Sequence, residues 1–347
     1  MKTFNYTILN QKKWDNEIIG YVAKIHEYRA KQDIFLKQKP AYFTKLVELA
    51  KVQSTQASNE IEGIRTTITR LKQIITQSTT PKNRAEEEIA GYRDVLNLIH
   101  DNYQFIQLNP NFILQLHKVL YQHSPKSIGG VFKNTQNYIS NTDEFGNIST
   151  IFTPLTPFET PTAIQAICDQ FNLAISQNET DPLILISTFI HDFLCIHPFL
   201  DGNGRMSRLL TTLLLYKSGY LVGKYISIEA KIANTKDWYY DSLLQSGHGW
   251  HDNLQNNETF IKYLLSTILS AYRDFEERYN ISDSNTALQT ITKAIDSILG
   301  KFTKTDLVSL GPSLSEKTIE SVLKKLLDSG SIQKYGAGKS TYYTKNN

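Results

Sequence analysis

Apolar residues recur every three or four positions along most of this chain, which is the spacing of helices that bury one face. Charged and polar residues fill the positions between them. The pattern predicts helices over Tyr42–Gln53, Glu86–Asn102, Asn111–Gln122, Thr162–Ser176, Leu183–Leu194, Arg205–Lys217, Asp237–Gln245 and Glu258–Tyr279. We therefore expect a mainly α protein.

One region alternates instead between apolar and polar positions. It spans Gly129–Pro154, and its two alternating runs are separated by the polar stretch Asn141–Asn147. That stretch contains Phe145 and Gly146, and glycine supports a tight turn. Period-two alternation on both sides of a turn predicts a β-hairpin over residues 129–154.

The pattern changes again after residue 280. The polar run 280–285 is typical of a linker. Three short helices are predicted next, followed by two strands around a glycine-rich turn. Their ranges are Ala287–Leu299, Lys304–Leu310, Ser315–Leu327 and, for the turn, Tyr335–Lys339. Ser315 is a suitable N-cap for the third helix. This order is typical of a winged helix, so we predict an N-terminal helical region (1–65), a core (66–280) and a winged-helix domain (285–347).

Composition adds limits to this picture. The chain has 347 residues, 40% of them hydrophobic, and a net charge of +3, which is too small to indicate a nucleic-acid or membrane partner by itself. Cys168 and Cys195 lie in apolar helical segments and form no metal or redox motif. Polar side chains interrupt the most hydrophobic stretch, Leu183–Leu200, and the N-terminus lacks the apolar run of a signal peptide. We expect a soluble cytoplasmic protein with no membrane partner.

The segment Ile196–Arg208 combines the residue types that phosphate chemistry needs. Gly202, Asn203 and Gly204 form a flexible turn that lets several backbone N–H groups converge. The turn opens a helix with a clear apolar stripe. A glycine-rich turn before a helix N-terminus is suited to an anion, because its amides are unsatisfied and the helix dipole is positive there.

Charged side chains surround this turn. Arg205 and Arg208 are three residues apart on one helix face, where their guanidinium groups can bind phosphate oxygens. Asp201 precedes the turn and is a suitable ligand for Mg²⁺, which takes one or two carboxylates together with phosphates. His197 is able to accept a proton near neutral pH. Together these residues indicate phosphoryl transfer.

Each feature alone has a structural explanation. A Gly-Asn-Gly turn is often only a turn, and two arginines on a helix usually face solvent. Their concentration in twelve residues, 197–208, favours a functional site. The Walker pattern with its terminal Lys-Ser/Thr is missing, which argues against a P-loop NTPase.

Residues 197–208, HPFLDGNGRMSR, closely resemble the Fic motif of the Fic/Doc family. The residues before it (His191, Phe193, Ile196) also fit, and the resemblance extends over roughly residues 40–275. It implies a protein adenylyltransferase with a Fic-type helical core, ATP as substrate and Mg²⁺ as cofactor. By this resemblance His197 would deprotonate a target hydroxyl, and Asp201 would hold the metal.

The resemblance also assigns the phosphate contacts. Gly202, Asn203, Gly204 and Arg205 would bind the α- and β-phosphates, and Arg208 would bind the γ-phosphate. The hydroxyl would attack the α-phosphorus, with pyrophosphate as the leaving group. The related Doc kinases carry Lys at the position of Gly204, so the glycine favours transfer of AMP over phosphorylation.

Two neighbouring segments resemble further parts of the family. The hairpin at 129–154 corresponds to the flap, which would hold a target protein by strand addition; Lys133 stands there where many relatives have arginine. The segment 232–240 is similar to one that lines the nucleoside pocket. By this resemblance Asn234 would hydrogen-bond the nucleotide, and Tyr239 or Tyr240 would pack against the base, although aromatics at this density more often belong to a core.

Glu62 is expected to be inhibitory. Gly63 looks like the residue that follows a helix, which places Glu62 at the negative end of that helix, where a carboxylate is disfavoured. The run Ser58-x-x-x-Glu62-Gly63 resembles the inhibitory motif of Fic proteins with an N-terminal regulatory helix. By this resemblance Glu62 pairs with Arg208 and blocks the γ-phosphate position. A solvated acid in a short helix is the structural alternative.

The C-terminal module leaves a second function open. From residue 285 onward it has nine lysines and five acidic residues. Lys317, Lys324 and Lys325 fall on the predicted recognition helix and are placed to meet DNA phosphates. The leading hypothesis is an autoinhibited protein adenylyltransferase. Modification of itself and removal of AMP from a target are further options. The alternative is a winged-helix DNA-binding regulator that uses the Fic core as a nucleotide sensor. A homo-oligomer is also open.

Overall fold

The structure is a computed structural model that describes residues 2–38, 40–77, 79–126, 128–142, 146–282, 287–298, 300–310 and 314–346. Helices make up most of it. They are α1 (Asn16–Gln38), α2 (Pro40–Ile61), α3 (Ile68–Gln77), α4 (Arg84–Asn102), α5 (Pro110–Leu120), α6 (Thr160–Gln177), α7 (Pro182–Ile196), α8 (Asn203–Lys217), α9 (Ile228–Asn234), α10 (Lys236–Gly247), α11 (Glu258–Ser282), α12 (Ala287–Asp296), α13 (Lys304–Leu310) and α14 (Glu316–Asp328). The mainly α expectation is confirmed.

All eight helices predicted before residue 280 are present. Helix α2 is much longer than predicted and continues to Ile61, and three helices (α1, α3 and α9) were not predicted. The apolar residues of α1 form no single stripe, and α9 is only seven residues long, so neither has a clear helical period. The predictions missed α1 and α9 because tertiary packing, rather than an amphipathic pattern, supports these helices. Helix α3 is amphipathic, and its pattern was overlooked.

The strands form two separate hairpins. In the first, β1 (Ile139–Thr142) pairs antiparallel with β2 (Ile148–Phe152). The hairpin predicted within residues 129–154 is therefore confirmed, although regular pairing begins only at Ile139. Phe145, which we placed in its turn, lies outside the described residues.

Helices α7 and α8 lie at the centre of the fold and carry the motif between them. Every residue of α7 after Pro182 is buried. The Asp181 side chain accepts a hydrogen bond from Leu183 N, and Pro182 occupies the first turn, so the start of α7 is well capped. Helix α8 buries nearly all of its length. Cys168 and Cys195 are buried free thiols, as expected.

The chain divides into two compact units. The first comprises residues 1–27 and 50–271, and the second comprises residues 28–49 and 272–347. This division differs from the boundaries predicted near residues 65 and 280. The reason is aromatic packing inside the second unit: Phe35 stacks on Tyr279 with ring centroids 3.8 Å apart, and Phe43 stacks on Phe275 at 4.9 Å.

The C-terminal part of the second unit has its own hydrophobic cluster. Helices α12, α13 and α14 pack with β3 (Ile332–Tyr335) and β4 (Tyr342–Lys345), which pair antiparallel. The Ser315 side chain accepts a hydrogen bond from Thr318 N, so the predicted N-cap is confirmed. The order helix, helix, helix, strand, turn, strand is the one predicted for a winged helix. Residues 283–285 of the predicted linker and Leu299 lie outside the described residues.

Candidate active site

A cavity of about 750 Å³ opens beside the turn that joins α7 to α8. The hairpin strands β1 and β2 form one wall, and α10 forms another. The polar part of the lining comes from the predicted motif: His197, Asp201, Gly202, Asn203, Gly204, Arg205 and Arg208, together with Glu62. The structure therefore brings eight of the nine predicted site residues to one cavity.

His197 ends α7 in a left-handed conformation, with φ 51°. Its ring nitrogen Nδ1 lies 3.2 Å from the carbonyl oxygen of Leu194. A carbonyl only accepts hydrogen bonds, so Nδ1 carries the proton and Nε2 keeps its lone pair. Burial lowers the pKa of the imidazole to about 4. His197 is therefore neutral at pH 7 and has the protonation state that a base needs.

The glycine turn starts α8 as predicted. Gly202 has φ 83°, in the left-handed region that favours glycine. The Asn203 side chain donates to Phe199 O at 2.7 Å and accepts from Phe199 N at 2.9 Å. Asn203 thus fixes the turn through its side chain, and only its backbone N–H remains suited to a phosphate at the helix N-terminus.

Arg205 is buried and aimed at the cavity. Its Nη2 donates to the Tyr121 hydroxyl at 2.8 Å and pairs with the Glu88 carboxylate at 2.9 Å. Within the described residues, its Nε and Nη1 have no hydrogen-bond partner. Burying a guanidinium with two unsatisfied donors is costly unless a ligand completes it. An anionic ligand in the cavity is the natural partner.

Arg208 is held by the end of α2. Its Nε donates to Ser58 Oγ at 2.8 Å, and its Nη2 donates to Ser58 O at 2.9 Å. The same Nη2 pairs with the Glu62 carboxylate at 2.7 Å. Nη1 has no hydrogen-bond partner among the described residues. The Glu62–Arg208 pair expected from the resemblance is thus present in the structure.

The end of α2 places Glu62 in the cavity. Gly63 has φ 77°, and Ile64 N donates back to Asn59 O, which is the arrangement of a glycine that ends a helix. Lys236 caps the same end, because its Nζ donates to Ile61 O at 2.7 Å. The predicted position of Gly63 is confirmed. The Glu62 side chain lies against Gly204 at the N-terminus of α8, where an anion is favoured.

Asp201 is partly exposed beside the same turn. Its Oδ1 accepts from Gly202 N at 2.7 Å, and its Oδ2 lies 3.8 Å from Lys126 Nζ and 3.9 Å from Arg84 Nη2. No group of three or more potential metal-binding side chains occurs in the part of the chain that the structure describes. A Mg²⁺ shared with substrate phosphates takes one or two protein carboxylates, and Asp201 in the cavity lining is able to supply one.

Of the residues predicted to contact the nucleoside, two line the cavity and one does not. Tyr239 and Tyr240 both line the cavity, and Tyr239 is buried while Tyr240 remains 44% exposed. Asn234 is exposed at the end of α9 and does not line the cavity. The structure therefore does not bring Asn234 to the site, because α9 ends before the segment turns into α10.

Sequence reasoning missed several residues that hold the site together. Glu88 and Tyr121 contact Arg205, Asn137 contacts the His197 backbone, and Lys236 caps the helix end that carries Glu62. Each belongs to another helix or loop, and nothing in its local sequence signals its partner.

The fold and the site define a helical protein in which a glycine turn, a neutral histidine and a β-hairpin meet at one cavity. Comparison with known proteins relates part of the chain to one family. The model of the Fic/DOC family matches residues 107–215. Over this segment the chain is similar to the Fic/DOC family.

Curated relatives agree with this assignment. A Fido domain-containing protein of Dictyostelium discoideum is 29% identical over 119 residues, which are 32% of this chain and 83% of the relative. The protein adenylyltransferase Fic of Drosophila willistoni is 28% identical over 203 residues, 57% of this chain but only 36% of the relative. The chain thus spans little more than a third of the length of that adenylyltransferase.

Solved structures show the same fold. A Fic family protein from Desulfovibrio desulfuricans G20 has a TM-score of 0.64 and 18% identity, covering 96% of this chain and 97% of its own. A Fic domain containing signaling protein from Bacteroides thetaiotaomicron VPI-5482 has a TM-score of 0.62 and 23% identity, covering 74% and 98%.

A separate observation concerns membranes. Among the described residues, no helix combines the length and the apolar character that a bilayer crossing requires.

Proposed function

We propose that this protein is an adenylyltransferase that transfers AMP from ATP to a hydroxyl group of a target protein. The observation that carries the proposal is the convergence of His197, Arg205 and Arg208 on one cavity at the N-terminus of α8. Two buried guanidinium groups with unsatisfied donors supply binding for phosphates, and a neutral imidazole supplies a base. The relatives named protein adenylyltransferase support the same reaction.

The geometry supports a direct displacement. The triphosphate would lie at the glycine turn on the backbone N–H groups of Asn203 and Gly204, because the N–H of Gly202 donates to Asp201. Arg205 and Arg208 would bind its oxygens. His197 Nε2 would take the proton of the acceptor hydroxyl while its oxygen bonds to the α-phosphorus. The bond from the α-phosphorus to the bridging oxygen breaks, and pyrophosphate leaves. Mg²⁺ held by Asp201 would supply neutralisation of phosphate charge.

We further propose that Glu62 keeps the site inactive. Its carboxylate occupies one donor of Arg208 and lies at the N-terminus of α8. There it competes with a phosphate for the guanidinium group of Arg208 and for the positive end of the helix. The flap hairpin would hold the target segment, since β1 and β2 form the wall of the cavity next to His197. DNA binding, a homo-oligomer, removal of AMP and a cytoplasmic location stay predictions.

Substitution of Glu62 tests the proposal. Glu62→Gly should raise AMP incorporation from ATP and Mg²⁺ at least about tenfold, because a charge-assisted hydrogen bond contributes about 1.5–3 kcal/mol. Adding His197→Ala should lower the rate by about 10²–10⁴-fold, the usual contribution of a general base. Intact-mass and peptide mass spectrometry would detect the added AMP and locate the acceptor.

Glu60→Ala is the matched control, because Glu60 lies on the same helix end and accepts from Gln56 rather than from Arg208. It should leave incorporation at the wild-type level. If Glu62→Gly added no AMP to itself or to any protein of a cell lysate, the proposed activity would be wrong.

A further inference from the structure

The turn after α7 is held by an unusual set of hydrogen bonds. Four successive carbonyl oxygens, those of residues 196–199, all accept from one short segment, Lys133–Asn137. Lys133 Nζ donates to residue 196 at 3.0 Å, and Lys133 N donates to residue 198 at 2.8 Å. Asn137 Nδ2 donates to residue 197 at 3.2 Å and to residue 199 at 3.0 Å. The segment Lys133–Asn137 therefore holds the backbone around His197 in place through hydrogen bonds.

This turn needs external support. His197 has φ 51°, a conformation that residues other than glycine rarely adopt. Such a conformation persists when the surrounding contacts over-determine it. The carbonyl groups of the turn cannot pair within a helix, because α7 ends at Ile196 and α8 begins at Asn203. Lys133 and Asn137 supply the missing donors.

Lys133 also orients Asn137. Its Nζ donates to Asn137 Oδ1 at 2.9 Å, which fixes the amide so that Nδ2 faces the turn. The lysine side chain is only 3% exposed, and burial lowers its pKa to about 8. A buried ammonium costs solvation, and here the carbonyl and amide oxygens around it compensate.

The same segment leads into the flap. Strand β1 begins at Ile139, two residues after Asn137, and Ile139 and Ser140 line the cavity opposite His197. The backbone that would receive a target segment and the backbone that carries the base are thus joined through a few hydrogen bonds. A displacement of the flap backbone is therefore expected to displace the backbone of His197, and the reverse.

We propose that Lys133 and Asn137 are positioning residues that fix His197 relative to the flap. The base and the acceptor hydroxyl are thereby held in a fixed relative position. This inference rests on the proposed adenylyltransferase activity. It predicts a loss in the chemical step rather than in nucleotide binding, because neither residue contacts Arg205 or Arg208.

Kinetics in the Glu62→Gly background test the inference. Lys133→Met removes the Nζ donors and keeps most of the stem, and Asn137→Asp removes the Nδ2 donor at equal size. Each should lower kcat about 10–100-fold, the scale of a misplaced reacting group, with KM for ATP changed less than twofold. Lys133→Arg keeps charge and donors and should recover most of kcat. Asn134→Asp, an exposed neighbour, is the matched control and should match the parent.

A second measurement does not depend on activity. Amide hydrogen exchange of residues 197–203 should accelerate in Lys133→Met and Asn137→Asp but not in Lys133→Arg or Asn134→Asp. Unchanged exchange in that turn, or a raised KM with unchanged kcat, would overturn the inference. If the Glu62→Gly parent transferred no AMP, the proposed function would fail, and the exchange result alone would decide the positioning role.

Discussion

Gly204 shows how a single residue serves two states of the site. A β-carbon at this position would overlap the Glu62 carboxylate and would lie 3.3 Å from Arg208 Nη1. Glycine is thus required for the Glu62 carboxylate to approach the helix N-terminus. The same absence of a side chain keeps this N-terminus open to a phosphate.

Gly204→Ala should therefore destabilise the wild-type protein more than the Glu62→Gly variant. In the wild type the added methyl group must displace Glu62 from Arg208, whereas in the variant that space is vacant. We expect a coupling energy of about 1 kcal/mol, in the usual range for residues in contact. Thermal unfolding of the two single variants and the double variant measures it. Strictly additive effects would mean that Glu62 does not occupy this position.

At the scale of elements, helix α4 supports Arg205 from behind. The Asn83 side chain caps α4 by accepting from Glu86 N at 3.0 Å. Glu88, two residues further on, is buried and pairs with Arg205 at 2.9 Å. Its other oxygen accepts from Arg84 at 2.8 Å. Glu88 and the Tyr121 hydroxyl thus occupy Nη2, whereas Nε and Nη1 of Arg205 have no hydrogen-bond partner among the described residues.

Glu88→Gln should therefore weaken the support of Arg205 without removing every hydrogen bond to its guanidinium group. The amide still accepts one hydrogen bond, but the buried guanidinium loses its counter-charge, and breaking a buried pair costs up to about 3–5 kcal/mol when nothing replaces it. We expect the free energy of unfolding to fall by about 2 kcal/mol and KM for ATP to rise.

Urea unfolding and initial rates measure the two effects. Glu87→Gln, one position earlier on the same helix and directed elsewhere, is the control and should leave both quantities unchanged. An unaltered KM in Glu88→Gln would show that Arg205 keeps its orientation without this carboxylate.

At the scale of the whole molecule, several histidines are buried in neutral form. Burial lowers the pKa of His100 to about 3, of His117 to about 4 and of His191 to about 3. In the unfolded chain a histidine has a pKa near 6.5. Between these values the unfolded chain binds more protons, so the free energy of unfolding falls as the pH decreases from about 6.5 towards 4.

His100→Gln should reduce this pH dependence. The glutamine amide still has a partner in the Tyr216 hydroxyl, which lies 3.2 Å from the imidazole, but it takes up no proton. Between pH 7 and pH 5 the variant should lose about 2 kcal/mol less stability than the wild type. Urea unfolding followed by tryptophan fluorescence measures this, because Trp14, Trp238 and Trp250 all lie in the first compact unit.

His248→Gln replaces an exposed histidine and serves as the control, with the wild-type pH dependence expected. An equal loss of stability in wild type and His100→Gln would show that His100 is not kept neutral by burial.

The C-terminal module belongs to the same scale. Its order of helices and strands was predictable, because short amphipathic helices, the Ser315 cap and a glycine-rich turn are all local signals. Lys317, Lys324 and Lys325 are exposed on α14, as the prediction of a recognition helix requires. Exposed lysines alone do not define a nucleic-acid site, so DNA binding stays a prediction.

The sequence by itself determined the helical class, the β-hairpin and the motif at residues 197–208. Each depends on local features, namely the hydrophobic period, the turn residues and a contiguous loop. It also determined that Gly63 ends a helix. Only the tertiary structure decided which distant groups complete the site. The pairing of Glu62 with Arg208 was an expectation from resemblance until α2 was seen to reach the N-terminus of α8. The supports of the site from Glu88, Lys133 and Asn137, and the exclusion of Asn234 from the cavity, had no local signal, because long-range contacts depend on how helices pack and not on the residues beside them.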